Sequence, residues 1–219
     1  GVIPVKENSE RVKRKNLRKF CNTNLFELKI SQLKKTKKFK NFMVSSESSK
    51  ILNIAEKNGF LTHKRNPYYS TSHVPMSEVY SYVAKNTPSE VIAWINVTNP
   101  LAGEKIYDEA VKKYENNKKF DCLLSAVENK ENYFFRKKTI NFKRSPWPRS
   151  QDLEPLISLP FVINILKTKD LIKWGSCVGK KPYFFLIDKV TATDIDTQDQ
   201  FDFAQFIYSK KKYKKMIKS

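Results

Sequence analysis

Histidine is almost missing from this chain: His63 and His73 are the only two, so a mechanism centred on an imidazole is not expected. Cysteine is nearly as scarce. Cys21, Cys122 and Cys177 are odd in number, far apart and free of any CxxC or Cys/His ligand spacing, which signals neither a disulfide framework nor a zinc centre. No apolar run approaches the roughly 18–20 residues of a membrane span, and no charged-then-apolar leader precedes a small-residue cleavage site. The expected compartment is therefore the cytoplasm, with no membrane partner. Glycine, alanine and arginine are also few, whereas lysine, asparagine and isoleucine abound, the bias of an AT-rich genome.

What is present is charge. A net +20 rests on 35 lysines against 7 arginines, spread along all 219 residues. A nucleic-acid protein more often clusters its arginines and interleaves exposed aromatics with them, so nucleic acid is not the expected partner. A small polyanion such as a nucleoside triphosphate is well served by such a field. The length and a hydrophobic content of 40% suffice for one sizeable core, read here as a single domain over 1–219.

Hydrophobic patterning predicts alternating strands and helices. Val2–Val5 reads as a short buried strand opening into a polar, cationic loop over 6–16. Asn24, with Glu27 three positions on, has capping-box spacing for a helix whose apolar face is Leu25, Phe26, Leu28, Ile30 and Leu33. Strands follow at 42–44, 90–95, 122–127, 161–166 and 183–187. Helices follow at about 47–57, closed by the C-cap pair Asn58-Gly59, then from Met76, at about 103–116 and at about 198–209. The polar stretch 63–75 reads as a mobile loop. Residues 130–148 read as a hairpin-like excursion suited to a dimer arm or to covering a sheet edge, and 210–219 as a frayed basic tail. The rhythm predicts an α/β fold, a mostly parallel sheet with helices on both faces.

A strand that opens into a cationic loop before a helix is how an α/β protein builds a phosphate site at the carboxyl end of its sheet. Lys6, Arg11 and Lys15 supply cations there, and Asn8, Ser9, Asn16 and backbone amides supply donors; a merely solvated basic loop is the alternative. Asp194 and Asp196 lie two apart, so on an extended stretch both carboxylates share a side. Paired hard oxygens suit Mg²⁺, although Asp196 or Thr197 could simply cap the last helix. Ser45, at a strand's carboxyl end, suits either a nucleotide contact or a helix cap. Arg65 suits either a loop closing over a nucleotide or plain solvation.

Taken in order, these pieces resemble the acylneuraminate cytidylyltransferase family, enzymes that activate sialic acids and related sugar acids as CMP conjugates. The likeness begins at Ile3-Pro4 and the loop of Lys6, Asn8, Ser9, Arg11, Lys15 and Asn16. It continues at Val44-Ser45-Ser46-Glu47, similar to Val-Ser-Thr-Asp, and at Thr98-Asn99-Pro100-Leu101, similar to Thr-Ser-Pro-Leu. Arg149-Ser150-Gln151-Asp152-Leu153 and Asp194-Ile195-Asp196-Thr197 complete it, with Asp199, Phe203 and Ala204 at the family's spacing.

The resemblance implies a three-layer Rossmann-like nucleotidyltransferase fold with a small protruding dimerisation excursion, and a homodimer. It implies CTP and a sugar acid as substrates, CMP-sugar and pyrophosphate as products, and Mg²⁺ as cofactor. By the same token Lys15 stands nearest the α-phosphate as the transition-state cation and Asp196 is catalytic. Lys6, Asn8, Ser9, Arg11, Asn16, Ser45 and Arg65 serve the nucleotide; Asn96, Thr98, Arg149 and Gln151 face the sugar; Asp194 and Asp196 hold the metal. The alternatives are a Kdo-like sugar or phosphonate acceptor on the same machinery, or a non-catalytic nucleic-acid-binding protein. There are departures. Glu10 stands where a cation is usual, Lys13 for a proline, and Asn96 for a glutamine. Leu159-Pro160-Phe161-Val162-Ile163 lacks the Asn-Gly of the sugar site.

Overall fold

Alternation along the strands decides the layers. The strands are β1 (Val2–Pro4), β2 (Met43–Ser46), β3 (Leu61–Lys64), β4 (Val91–Ile95), β5 (Cys122–Asn129), β6 (Leu156–Ser158), β7 (Ile163–Lys167) and β8 (Pro182–Leu186). Ile3, Val44, Ala93, Ile95, Leu123, Ile163 and Ile165 enter one core. Their neighbours Val2, Met43, Ile92, Trp94, Leu124 and Leu166 enter another, because successive side chains of a strand leave on opposite faces. The first core is covered by α1 (Leu25–Leu33), α2 (Ser49–Lys57) and α4 (Glu104–Glu115), the second by α3 (Met76–Lys85) and α5 (Thr168–Trp174). The computed structural model describes residues 1–9, 11–116 and 119–210; Glu10 and the tail over 211–219 lie outside the described residues.

The strand order is β6-β5-β7-β4-β1-β2-β3, with β8 also paired to β5. The pairs β1–β2, β1–β4, β2–β3 and β5–β8 are parallel, whereas β7 runs antiparallel between β4 and β5. The sheet is thus mostly parallel with helices on both faces, as the patterning predicts. The stretch expected to be a mobile loop departs from that prediction. Residues 61–64 form the edge strand β3, and Pro67–Ser70 make a 3₁₀ turn capped by Asn66. An edge strand is solvated on most of its surface, so it carries polar residues and escapes a search for apolar runs. The short helix α5 was not foreseen either.

The local signals hold. The Asn24 side chain accepts the Glu27 amide at 2.9 Å, and Gly59 takes φ 80 just beyond the Asn58 C-cap. The excursion contains a two-stranded ribbon, Phe134–Phe135 against Lys138–Thr139. A third small core positions the functional end. Val12 of the first loop, Phe20, Leu25 and Leu28 of α1, Ile195, and Phe201 and Ala204 of α6 (Gln198–Ser209) pack together. Residues nearly two hundred positions apart are therefore held on one apolar seam.

Candidate active site

The loop after β1 is clipped at both ends. Asn16 Nδ2 donates to the Lys6 carbonyl at 2.8 Å, closing the loop mouth, and Asn16 Oδ1 is buried without a partner. The Glu7 amide donates to Glu47 Oε1 at 2.8 Å, and the Ser48 hydroxyl donates to the Glu7 carboxylate. Between these clips the chain curls through turns, with Arg14 at φ 53 and the Lys15 amide on the Val12 carbonyl. Val12, 2% exposed, anchors the underside, a constraint that does not need the proline for which Lys13 stands.

That anchorage brings Lys15 to the aspartates. Val12 and Ile195 share one core, so Lys15 reaches across to donate to the Ile195 carbonyl and to Asp196 Oδ1 at 3.4 Å. Arg11 meets the same Oδ1 at 2.7 Å from a largely exposed position. Burial pulls the Lys15 ammonium below its ordinary range, while Asp196 and Asp194 act in the opposite direction. Burial raises the Asp194 carboxyl, opposed by a hydrogen bond from Thr98; its Oδ1 is buried without a partner. The Ile195 amide donates to the Thr98 carbonyl at 2.9 Å, so the exit of β4 and the aspartate stretch are laced together. Asp194 and Asp196 flank the fully buried Ile195, and both carboxylates lie close enough to act on Lys15 and on each other. The helix cap belongs to Thr197, which makes a complete capping box with Gln200 and frees the Asp196 carboxylate from that duty.

Other residues singled out in the sequence sit elsewhere. Arg65 is 3% exposed and is no part of a closing loop: its guanidinium donates to the Val5 carbonyl at 2.8 Å and to Glu47 Oε2 at 3.2 Å. Burial acts to raise Glu47, but the Glu7 and Glu47 amides, Ser70 and Arg65 outweigh it and hold its carboxyl low. Ser45 is fully buried in the β2–β3 pair, with its hydroxyl 3.1 Å from His63 Nδ1, and so faces no cleft. Arg149 turns its fork onto Asp152 at 2.6 and 3.0 Å and is mostly exposed; Gln151 accepts Lys130 through its carbonyl. Both lie just beyond the excursion, at the 3₁₀ turn Ser150–Asp152, and the Arg149 fork is turned to Asp152 rather than to Lys15, Asp194 or Asp196. Asn96 follows β4, half-buried; Lys6 and Ser9 are half-buried in the loop and Asn8 is exposed.

Two functional candidates escaped the sequence reading. Asn99 is fully buried, and its Nδ2 faces the carbonyls of Pro160, Thr193 and Ala192 at 3.2, 3.3 and 3.5 Å. Lys29 is 1% exposed; its amine donates to the Asn99 carbonyl at 2.8 Å and to the Tyr107 hydroxyl, and burial lowers its pKa to about 7. The available signal was a lysine inside the apolar stripe of α1.

A cation at the carboxyl end of β1 beside two carboxylates is an arrangement for handling phosphate. The family model for cytidylyltransferases matches residues 1–152. The chain belongs to the cytidylyltransferase family. Among curated relatives, "Post-translational flagellin modification protein B" of Campylobacter coli is 25% identical over 96% of this chain and 94% of its own. "CMP-N,N'-diacetyllegionaminic acid synthase" of Campylobacter jejuni is 26% identical with the same coverage. Among solved structures, a CMP:2-keto-3-deoxy-manno-octonic acid synthetase complexed with CTP superposes with a TM-score of 0.69 at 9% identity, covering 95% of this chain and 97% of that one. At that identity the likeness is one of fold, and it is the expected α/β cytidylyltransferase architecture.

Proposed function

We propose that this cytidylyltransferase transfers CMP from CTP to a nonulosonic-type sugar acid, releasing pyrophosphate, with Mg²⁺ as cofactor. The observation that carries the reading is the meeting of Lys15 with Asp194 and Asp196 above the carboxyl ends of β1 and β4. The acceptor hydroxyl oxygen bonds to the α-phosphorus as the bridge to the β-phosphate breaks, with loss of the hydroxyl proton. Charge spreads over the non-bridging oxygens, so positioning and cationic stabilisation do most of the work. Lys15 lies at the α-phosphate. Arg11 and Lys6 neutralise the departing pyrophosphate, the loop amides with Asn8 and Ser9 donate to its oxygens, and Asn16 serves the nucleotide by closing the loop onto the Lys6 carbonyl. Arg65 and Glu47 support the loop from below.

The carboxylates fit magnesium. Asp194 Oδ1 is a buried oxygen without a partner, and hard carboxylate oxygens are what the ion prefers. No group of three or more His, Cys, Asp or Glu side chains able to hold a metal occurs among the described residues, so a bound ion would draw the rest of its oxygens from substrate phosphates and water. Bound there, the ion would neutralise developing charge on phosphate oxygens. Asp194 and Asp196 would hold it, Thr98 would orient Asp194, and Asn96 stands beside the acceptor.

The sugar class rests on relatives named for flagellin modification and legionaminic acid activation. A different sugar acid is the second reading, favoured by Leu159-Pro160-Phe161, where a carboxamide is absent and Phe161 takes φ 52. We also propose a cytoplasmic homodimer. Phe134, Phe135, Ile140 and Trp147 are exposed on the excursion, and no described helix is long and apolar enough to cross a membrane. Incubation with CTP, Mg²⁺ and a panel of legionaminic, pseudaminic, sialic and Kdo acids tests the reading. Pyrophosphate and one CMP-sugar are expected. No pyrophosphate with any acceptor, and no CTP-dependent thermal shift, would overturn it.

A further inference from the structure

Three stretches meet at the Asn99 carboxamide. The first is the strap between β6 and β7. Ser158 faces Val127 and Asn164 faces Leu124, so six steps on this side span only three along β5, and residues between them bulge out. Within the bulge Phe161 takes φ 52, a conformation that side chains other than glycine's adopt at a cost and that persists only where surrounding structure holds it. The second stretch is Ala192–Thr193, immediately before Asp194. The third is the exit of β4, on which Asn99 itself sits.

The Nδ2 group donates into the carbonyls of Pro160, Thr193 and Ala192. An oxygen in its place would oppose three carbonyl oxygens, so the orientation of the carboxamide is decided by chemistry. Helix α1 holds the same residue from behind, with Lys29 Nζ on the Asn99 carbonyl at 2.8 Å and Gln32 Nε2 on the next carbonyl, Pro100, at 2.7 Å. Asn99, Lys29 and Gln32 are all buried, where a satisfied donor is strong and an orphaned one is costly.

We propose that Asn99, braced by Lys29, is a positioning residue that locks the 159–162 strap to the segment carrying Asp194, so that the acceptor side of the cleft and the metal-binding carboxylates move as one unit. The proposal rests on the cytidylyltransferase reading above for its kinetic consequence. Its structural consequence stands without that reading.

The test uses the full chain with Asn99→Ser, which keeps a short donor, and Asn99→Asp, which is isosteric and takes the donors away. Lys29→Met removes the brace. Hydrogen exchange of 161–163 and 192–196 is followed against 43–57 as control, CTP affinity by calorimetry, and pyrophosphate release with each substrate titrated separately. In both Asn99 variants protection of the two segments falls together by about tenfold or more while the control is unchanged. The Asp variant loses more than the Ser variant, and Lys29→Met loses less than either. CTP affinity stays within about threefold, whereas the acceptor KM rises and kcat falls by about tenfold each. Unchanged protection in either segment overturns the proposal. So does an equal loss of CTP affinity and acceptor KM, the pattern of a general structural defect. If wild-type protein releases no pyrophosphate with any acceptor, the functional reading fails, and hydrogen exchange still decides the role of Asn99.

Discussion

The two ends of the cleft are built from opposite materials. The proposed nucleotide end concentrates charge in one local loop, with Arg11 and Lys15 drawn onto Asp196 and the backbone curled beneath them. The proposed acceptor end is neutral. Its strap is Leu159, Pro160 and Phe161, and its fastening is a carboxamide that touches only backbone carbonyls. The difference teaches where a sequence can drift. A triphosphate asks for positive charge and amide donors, which many residue types supply, and the loop keeps them although Glu10 stands where a cation is usual. Recognition of a particular sugar asks for particular donors at particular distances, and there this chain departs from the family's Asn-Gly.

The contrast is broken most severely at Lys15. Lys15→Ala is expected to lower kcat by about a thousandfold with acceptor KM little changed, because a cation aimed at developing charge acts on the transition state. Steady-state pyrophosphate release checks it, and a loss confined to acceptor KM would reverse the assignment of the two ends. Asp196→Asn and Asp194→Asn should each cost about a hundredfold, and a chelator should silence the wild type reversibly upon return of Mg²⁺. Arg65→Met acts on stability. It leaves Glu47 in a half-buried site without its cation and should cost about 3 kcal/mol in urea denaturation, part of which Glu47→Gln in the same chain restores.

A smaller and more diagnostic effect concerns pH. Unfolded Lys29 titrates near 10.5 and folded Lys29 at about 7, so between those values the unfolded chain binds the extra proton and stability rises with pH. Between about pH 7 and 8.5 the gain should approach roughly 2 kcal/mol, and Lys29→Met should flatten it. Melting curves across that range check the sign. The least effect is expected at Arg149→Ala. With its fork closed on Asp152 outside the phosphate loop, it should leave CTP affinity within about threefold, since exposed pairs contribute little.

Where the chain's own neighbours decide the conformation, the sequence was legible. Asn24 with Glu27 and Asn58-Gly59 mark helix ends through bonds made within a few residues, whereas at the last helix the sequence left the cap open between Asp196 and Thr197 and the structure gives it to Thr197. Strand β3 was illegible because an edge needs no apolar run. The reversed direction of β7 was illegible because Ile163–Lys167 reads the same buried either way. Arg65 misled because an arginine in a polar stretch reads as solvated. Its burial follows from β3 lying beside β2, which carries it up to Glu47 and Val5.

By itself the order of residues determined the alternation of layers, the caps at Asn24 and Asn58-Gly59, and the chemical kinds present at the cleft: cations after β1 and paired carboxylates before α6. Only the tertiary structure decided which of them meet. Lys15 and Asp196 come together because Val12 and Ile195 are buried in the same small core against Phe201 and Ala204. Burying that apolar surface is favourable wherever it lies in the chain, so a non-directional force brought two distant segments together, and short-range hydrogen bonds then set their register.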